Sequence, residues 1–274
     1  MYFICSNKEA IEKDSFFTPL HDIEDGPSVE EGFASSEKVI EGEVRLGGQE
    51  HFYMETHRCI VIPDLGDQSL HVIASTQNQS GDSKIISNAL GYPANKIKFQ
   101  TVRIGGGFGG KEKRAALTSA ICAVAAHKTR KPVRCVLDRE VDMRISGGRH
   151  PVFCKYKVGF SSNGRLVALD INMFFNAGHS TDLSHHVVTE SMIETTSVYS
   201  IPCVKIKGYA CKTNLPSNTA MRGFGKPQGM MIFENVLSKV AACCGLPELQ
   251  ACKGFCAQTK YNSSVLLIEG DSIV

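Results

Sequence analysis

The sequence predicts an α+β fold. Three observations carry this. Short runs of alternating or β-branched residues read as strands. Longer Ala-rich or 3.6-periodic runs read as helices. The two kinds follow one another irregularly rather than as repeated strand–helix–strand units. No internal repeat and no low-complexity segment interrupts the pattern.

Residues 1 to about 46 read as acidic and loop-rich, with Asp22-Ile23-Glu24-Asp25-Gly26-Pro27 as a turn. Residues 38–46 alternate apolar and charged side chains, as an edge strand does. Residues 52–62 and 70–75 read as strands, and 83–90, closed by Gly91, as a short helix. The run 97–104 is a strand with β-branched residues, and 111–127 is a helix that stops near Lys131-Pro132. Residues 133–137 form the next strand. The runs 152–160 and 166–174 flank Ser161-Ser162-Asn163-Gly164, a hairpin signal. A strand at 204–212 leads into a polar loop at 213–220. A helix at 227–244 follows, with Met230, Met231, Ile232, Val236, Leu237 and Val240 apolar, ended by Gly245.

With 274 residues, 42% apolar and 21% charged, the chain is long enough for one large domain or two small ones with a proper core. A net charge of +2 gives no case for a nucleic-acid or membrane partner. No run approaches the ~20 apolar residues of a membrane span, and the first residues lack a secretory core. The expectation is an intracellular, cytoplasmic protein, with the peroxisome as the alternative. The 11 cysteines are scattered without a C-x-x-C pair, which argues against a zinc ribbon or an iron–sulfur centre. Their odd count argues against a disulfide framework, so free, mostly buried thiols are expected.

Arg103-Ile104-Gly105-Gly106-Gly107-Phe108-Gly109-Gly110-Lys111-Glu112 places five glycines in six positions. So many missing side chains require close approach to a ligand or very tight chain packing. Gly105, Gly107 and Gly110 satisfy G-x-G-x-x-G. A dinucleotide site also wants an acid about 20 residues on, and Asp138 and Glu140 lie farther away, after an extended helix. Gly105, Gly110 and Lys111 satisfy most of a P-loop. Glu112, however, stands where that loop needs a hydroxyl for magnesium, and its carboxylate would face the phosphates. In a third reading the bare backbone N–H groups cradle an anionic oxygen while Glu112 hydrogen-bonds a polar ring; burial would let it donate. A glycine-rich turn with a surface Lys–Glu pair is the plainest alternative.

Three further segments narrow the choice. They are Gly47-Gly48-Gln49-Glu50-His51-Phe52-Tyr53-Met54-Glu55-Thr56, then Ser146-Gly147-Gly148-Arg149-His150-Pro151, and finally Lys212 through Gln228, which contains Ala220-Met221-Arg222-Gly223-Phe224-Gly225-Lys226. With the glycine loop, they closely resemble the molybdopterin-binding domain of the xanthine dehydrogenase/aldehyde oxidase family. The likeness runs from about residue 10 to about 249.

The resemblance implies mixed sheets with packed helices. It implies an enzyme that hydroxylates a purine, another N-heterocycle or an aldehyde at carbon, with electrons leaving through 2Fe-2S clusters and FAD held elsewhere. It implies a homodimeric parent enzyme. It also divides the chain: 1–46 as the end of a preceding hammerhead-type domain and linker, 47–249 as the first half of the molybdopterin-binding domain, and 250–274 as a divergent tail. By resemblance, Gln49, Phe108, Gly109 and Arg222 contact the cofactor, and Gln49, Phe108 and Arg222 lie about its molybdenum. An amide at Gln49 can donate to a metal oxo group without adding charge, and a guanidinium at Arg222 suits an anionic cofactor. Phe224 matches a ring that stacks on substrate, and Glu112 matches the glutamate that hydrogen-bonds purines.

The resemblance fails at one substrate position. Counting back from Tyr199-Ser200-Ile201-Pro202, the family's purine-orienting arginine falls at Glu190, and no Arg or Lys lies between Thr181 and Ser200. A carboxylate cannot replace a guanidinium as a donor, which argues for lost xanthine activity. The general-base glutamate belongs to a later part of the family domain. The expectation is therefore a fragment inactive by itself. The alternatives are a non-catalytic isoform that associates with full-length subunits and, more remotely, a P-loop NTPase. His150 and His185-His186 invite a metal reading, but adjacent histidines on extended chain would point to opposite faces.

Overall fold

The computed structural model describes residues 3–247. The tail assigned to 250–274 lies outside the described residues. A capping box opens α1 (Asn7–Glu12): the Ser6 hydroxyl accepts from the Glu9 N–H, and the Glu9 carboxylate accepts from the Ser6 N–H. There follow β1 (Phe16–Asp25), α2 (Val29–Ala34), β2 (Lys38–Leu46), β3 (Arg58–Asp64), β4 (Ser69–Ala74), α3 (Gln79–Leu90), β5 (Ile97–Gln100) and α4 (Ala115–Thr129). The chain continues through β6 (Val133–Val136), α5 (Arg139–Ser146), β7 (Val152–Phe160), β8 (Leu166–Gly178), α6 (Ser184–Ile193), β9 (Cys203–Lys212) and α7 (Lys226–Cys244).

These strands make two mixed sheets, so the α+β expectation holds. The larger runs β1-β9-β8-β7-β2; its only parallel pair, β8 with β9, is joined through α6. The smaller runs β5-β4-β3-β6, with β4 and β5 parallel across α3. Residues 16–46 supply both outer strands of the larger sheet, β1 against β9 and β2 against β7.

Alternation along the strands decides what each face buries. Val158, Phe160, Ile171, Met173 and Phe175 point to one side, where they meet Val188 and Met192 of α6 and Ile232, Phe233, Val236 and Val240 of α7. Each fully buried large apolar side chain there contributes about 1.5–3 kcal/mol. The opposite side carries two small clusters under α1 and α2, around Phe153–Phe174 and Ala168–Cys203. In the smaller sheet Val61, Leu70 and Val72 pack on Ile86 of α3 and on Cys122, Ala123 and Ala126 of α4. The small side chains of α4 let it lie close to the strands.

The hairpin at Ser161–Gly164 forms as its residues demand: Gly164 takes φ +88° and the Ser161 N–H donates to the Arg165 carbonyl at 2.9 Å. Other boundaries move. Residues 52–57 are not strand, because Tyr53, Glu55 and His57 are committed to distant partners, and β3 begins at Arg58. The strand expected over 97–104 ends at Gln100, and the helix expected from Lys111 begins at Ala115. The turn expected at 22–27 is mostly β1; the chain reverses only after Asp25, at Gly26. His185 and His186 lie on a helix, not on extended chain.

Every described cysteine is free, and five are buried. Burial pushes the Cys154 and Cys211 thiols up to about 12, which keeps them inert. Among the described residues no helix is long and apolar enough to cross a membrane.

Candidate functional site

The four segments singled out in the sequence meet in space. Glu55 N–H donates to the Gly105 carbonyl at 3.1 Å, and Gly105 N–H donates to the Glu55 carboxylate at 2.6 Å. The His51 ring nitrogen Nε2 lies 2.7 Å from the Ala220 carbonyl. Arg149 N–H donates to the Gln49 carbonyl at 2.9 Å, Thr219 N–H to the Gly148 carbonyl at 3.1 Å, and Arg222 N–H to the Phe108 carbonyl at 3.0 Å.

The glycine loop is shaped by packing as much as by openness. A Cβ at Gly109, whose φ is +99°, would lie 2.5 Å from the Ala220 carbonyl oxygen. A Cβ at Gly110 would lie 2.8 Å from both the His51 and Tyr53 rings. The loop's N–H groups are partly spent: Gly109 and Lys111 both donate to the Gln77 side-chain carbonyl, at 3.0 and 3.2 Å. The Phe108 N–H has no partner among the described residues. Phe108 itself takes φ +53° and is 46% exposed.

Lys111 is fully buried, with its ammonium 2.9 Å from Ser75 Oγ, 3.4 Å from Glu55 Oε2 and 4.6 Å over the Tyr53 ring. Burial lowers its pKa, against the raising effect of Glu55. Burial works to raise Glu55, but the Gly105 N–H, Ser75 and the charge of Lys111 outweigh it and hold the carboxyl low. This placement removes the P-loop reading, in which Lys111 must reach a phosphate, and equally the surface Lys–Glu pair.

Beneath the loop lies a second buried network. Tyr53 Oη donates to Asp142 Oδ1 at 2.6 Å, and the His57 N–H donates to Oδ2 at 2.6 Å. The His57 ring nitrogen Nδ1 is 3.0 Å from the same carboxylate. Burial alone would raise Asp142; the hydrogen bonds from His57 and Tyr53 reverse this and hold it well below the carboxylate range.

The expected site residues divide into groups. Gln49 and Arg222 meet at Arg149, whose role the sequence does not disclose, while Phe108 and Gly109 lie on the glycine loop that the Arg222 N–H reaches. Arg149 donates to Gln49 Oε1 at 2.6 Å, to Gln228 Oε1 at 3.3 Å and to the Arg222 carbonyl at 2.7 Å. The outward amide NH₂ of Gln49 and the exposed guanidinium of Arg222 have no partner among the described residues. The Gln228 NH₂ is buried with no partner. The Arg149 guanidinium and the amides of Gln49 and Gln228 thus gather at one place, and such a donor set fits an anionic group rich in acceptor oxygens.

Glu112 is half-buried where its N–H closes a turn onto Gly109, and its carboxylate has no partner among the described residues. Phe224, at φ +47°, packs partly against the main core. Glu190 sits on α6, 3.5 Å from Lys226 at the start of α7. The histidines make pairs rather than a centre: His21 Nε2 lies 3.0 Å from His185 Nδ1, and His150 Nε2 lies 2.8 Å from Ser184 Oγ. Among the described residues no three His, Cys, Asp or Glu side chains group to hold a metal ion.

Residues 11–252 match the molybdopterin cofactor-binding domain family. The chain is 49% identical to xanthine dehydrogenase/oxidase of Gallus gallus over 244 residues, 89% of this chain and 18% of that protein. It is 50% identical to aldehyde oxidase 2 of Macaca fascicularis over 240 residues, 88% of this chain and again 18% of the relative. Its fold superimposes on the aldehyde oxidoreductase from Desulfovibrio gigas with a TM-score of 0.85 at 20% identity, covering 96% of this chain and 29% of that one. The chain therefore spans under a fifth of the length of the curated relatives it matches.

Proposed function

From the premise that the chain belongs to the molybdopterin cofactor-binding domain family, we propose that residues 47–228 form one wall of the cofactor and substrate site of a molybdenum hydroxylase. The observation that carries this is the donor assembly organised by Arg149. Gln49 presents an amide N–H group with the buried Gln228 amide close by on Arg149, Arg222 presents a guanidinium, and the Phe108 N–H lies on the neighbouring loop. Together they would hold a molybdopterin through its oxygens. When bound, that group supplies the two-electron redox chemistry of carbon hydroxylation.

The chain's own residues then orient the substrate. Phe224 offers a ring face to a planar heterocycle, a contact contributing ~1 kcal/mol beyond burial. Glu112, without an internal partner among the described residues, hydrogen-bonds a ring N–H. A purine, another N-heterocycle or an aromatic aldehyde fits these two contacts. None of the four motifs contributes the family's general base, so we assign that step to no residue here and expect no turnover from the 274 residues alone. In the whole enzyme we expect 2Fe-2S clusters and FAD to take the electrons, in a cytoplasmic homodimer.

The test is cofactor retention. The chain is produced in a host that makes molybdopterin, and bound pterin is measured by fluorescence after oxidation, alongside molybdenum by mass spectrometry. Arg149→Ala should cut retained pterin roughly tenfold, since it removes the group that orients the direct contacts. Absence of pterin from the folded wild-type chain, or its full retention by the variant, sinks the reading.

A further inference from the structure

Helices α6 and α7 approach unusually closely where α7 begins. A Cβ at Gly225 would lie 2.2 Å from the Val187 carbonyl oxygen and 3.0 Å from the Ser191 nitrogen, and one at Gly229 would lie 2.2 Å from the Ser191 carbonyl oxygen. The residues flanking Gly225, namely Phe224 and Lys226, are therefore held against the turn of α6 that carries Glu190. Lys226 Nζ bridges two carboxylates of that helix, hydrogen-bonding Glu194 and standing 3.5 Å from Glu190. The side chains are only partly covered, 45% exposed for Lys226 and 38% for Glu190, so the cluster faces solvent beside Phe224. The hydrogen bond that Lys226 donates to Glu194, with the charges of Glu194 and Glu190, raises its pKa against the lowering effect of burial, so the ammonium stays charged.

We infer that the Glu190–Lys226–Glu194 cluster sets the charge preference of the substrate mouth, admitting cationic or neutral planar aromatics and disfavouring anionic ones. The inference rests on the proposed reading that Phe224 is the stacking surface. Two carboxylates share one ammonium, so the cluster carries a net negative charge. Glu190, the more distant partner, is the less neutralised. The neighbouring charged or titratable groups on the packed elements do not cancel this. Glu234 of α7 accepts from Tyr199, His185 is turned toward His21, and Arg222 belongs to the donor set assigned to the cofactor. A ring stacked on Phe224 with an acidic substituent would meet carboxylates at close range. A ring carrying a fixed positive charge would meet the same groups favourably.

The experiment titrates the folded 274-residue chain with three probes of one shape, N-methylquinolinium, quinoline and quinoline-4-carboxylate, by calorimetry at low salt. The readout is the ratio of cation to anion affinity and how variants move it, because Arg222 contributes equally to every variant. Glu190→Gln should lower that ratio roughly tenfold, and Lys226→Met should raise it by a similar factor, both effects shrinking as salt is added. Phe224→Ala should weaken all three probes together. Circular dichroism of each variant confirms that it is folded. A ratio that neither charge variant moves overturns the inference. The Phe224 reading then still stands, provided Phe224→Ala weakens every probe. Binding indifferent to Phe224→Ala, or no binding at all, removes the stacking surface and the inference with it.

Discussion

Gly107-Phe108-Gly109 and Gly223-Phe224-Gly225 are the same tripeptide and share a left-handed Phe followed by a positive-φ glycine, although Gly223 is itself positive and Gly107 is not. Phe108 and Phe224 take φ +53° and +47°, and both following glycines are also positive, at +99° and +91°. A non-glycine residue in that region costs of order 1–3 kcal/mol and persists only where its surroundings over-determine it. The surroundings differ. The first turn is pinned by polar atoms: Gln77 takes two of its N–H groups, Glu55 takes a third, and the Tyr53–His57–Asp142 network supports it from below. The second is pinned by close packing of α6 on α7 and by Lys226 between two glutamates. One Phe ring is left substantially exposed, and the other leans on the core. The same local strain is thus held once by hydrogen bonds and once by steric fit. The two turns meet where the Arg222 N–H donates to the Phe108 carbonyl, and Arg149 braces the Arg222 side by donating to its carbonyl and to Gln49.

The comparison can be broken most severely from beneath the first turn. Asp142→Asn removes a buried charge from His57 and Tyr53, and breaking such a network costs about 3–5 kcal/mol. Urea unfolding should show that loss, with hydrogen exchange at 105–111 rising more than at 222–228. Uniform exchange across the two turns would mean that they are not separately supported.

Next in size, Gly225→Ala forces a methyl against the Val187 carbonyl at a left-handed position and should cost roughly 3 kcal/mol. The matching change Gly109→Ala meets the Ala220 carbonyl at a slightly longer 2.5 Å, so it should cost somewhat less. Thermal melts of the pair give the order, and the reverse order counts against a sterically held second turn.

Acid tests the junction between the turns. Burial, then the charges of Arg149 and Arg114, push His150 down to about 3. The folded chain keeps this ring neutral while the unfolded chain protonates it near pH ~6.5. The contribution is therefore complete above that pH and drains away as pH falls toward 3, by at most ~1.4 kcal/mol per unit. His150→Gln should flatten the slope of unfolding free energy between pH 6.5 and 4. An unaltered slope would assign the acid sensitivity elsewhere.

The smallest effect is expected at Phe108→Gly. It relieves left-handed strain while losing an exposed ring, leaving stability within about 1 kcal/mol of the starting value. Phe224→Gly relieves the same strain but gives up core contacts, so it should be the more damaging of the two by chemical denaturation.

Much of this was legible in the residues, and what was not has specific causes. The 152–174 hairpin, the Gly91 and Gly245 helix ends and the meeting of four motifs followed from local chemistry or from long matching segments. The start of β3 did not, because Tyr53, Glu55 and His57 look strand-forming and are diverted by Asp142 and Gly105, which are distant in sequence. The buried state of Lys111 was hidden for the same reason: Lys-Glu after glycines reads as surface until Ser75 and Tyr53 are seen around it. Helix α6 is not legible in the sequence because its paired histidines fit an extended chain as readily as a helix. The role of Arg149 was missed because a lone arginine between glycine and histidine carries no periodic signal. Its partners, Gln49, Gln228 and Arg222, come from separate segments. The Ser6–Glu9 capping box and the Gly147 end of α5 were visible signals that could have found two further helices.

The order of the larger sheet has a consequence for biosynthesis. Its outer strands precede its central ones along the chain: Phe16 of β1 pairs with Cys211, and Lys38 of β2 pairs with Phe160. On a ribosome adding about 5–20 residues per second, β1 waits on the order of ten seconds for its partner. Throughout that interval two amphipathic strands with open backbone edges are available to any other unpaired strand nearby. The nascent polypeptide is thus most exposed to strand mispairing until β7 to β9 emerge, above all on crowded polysomes.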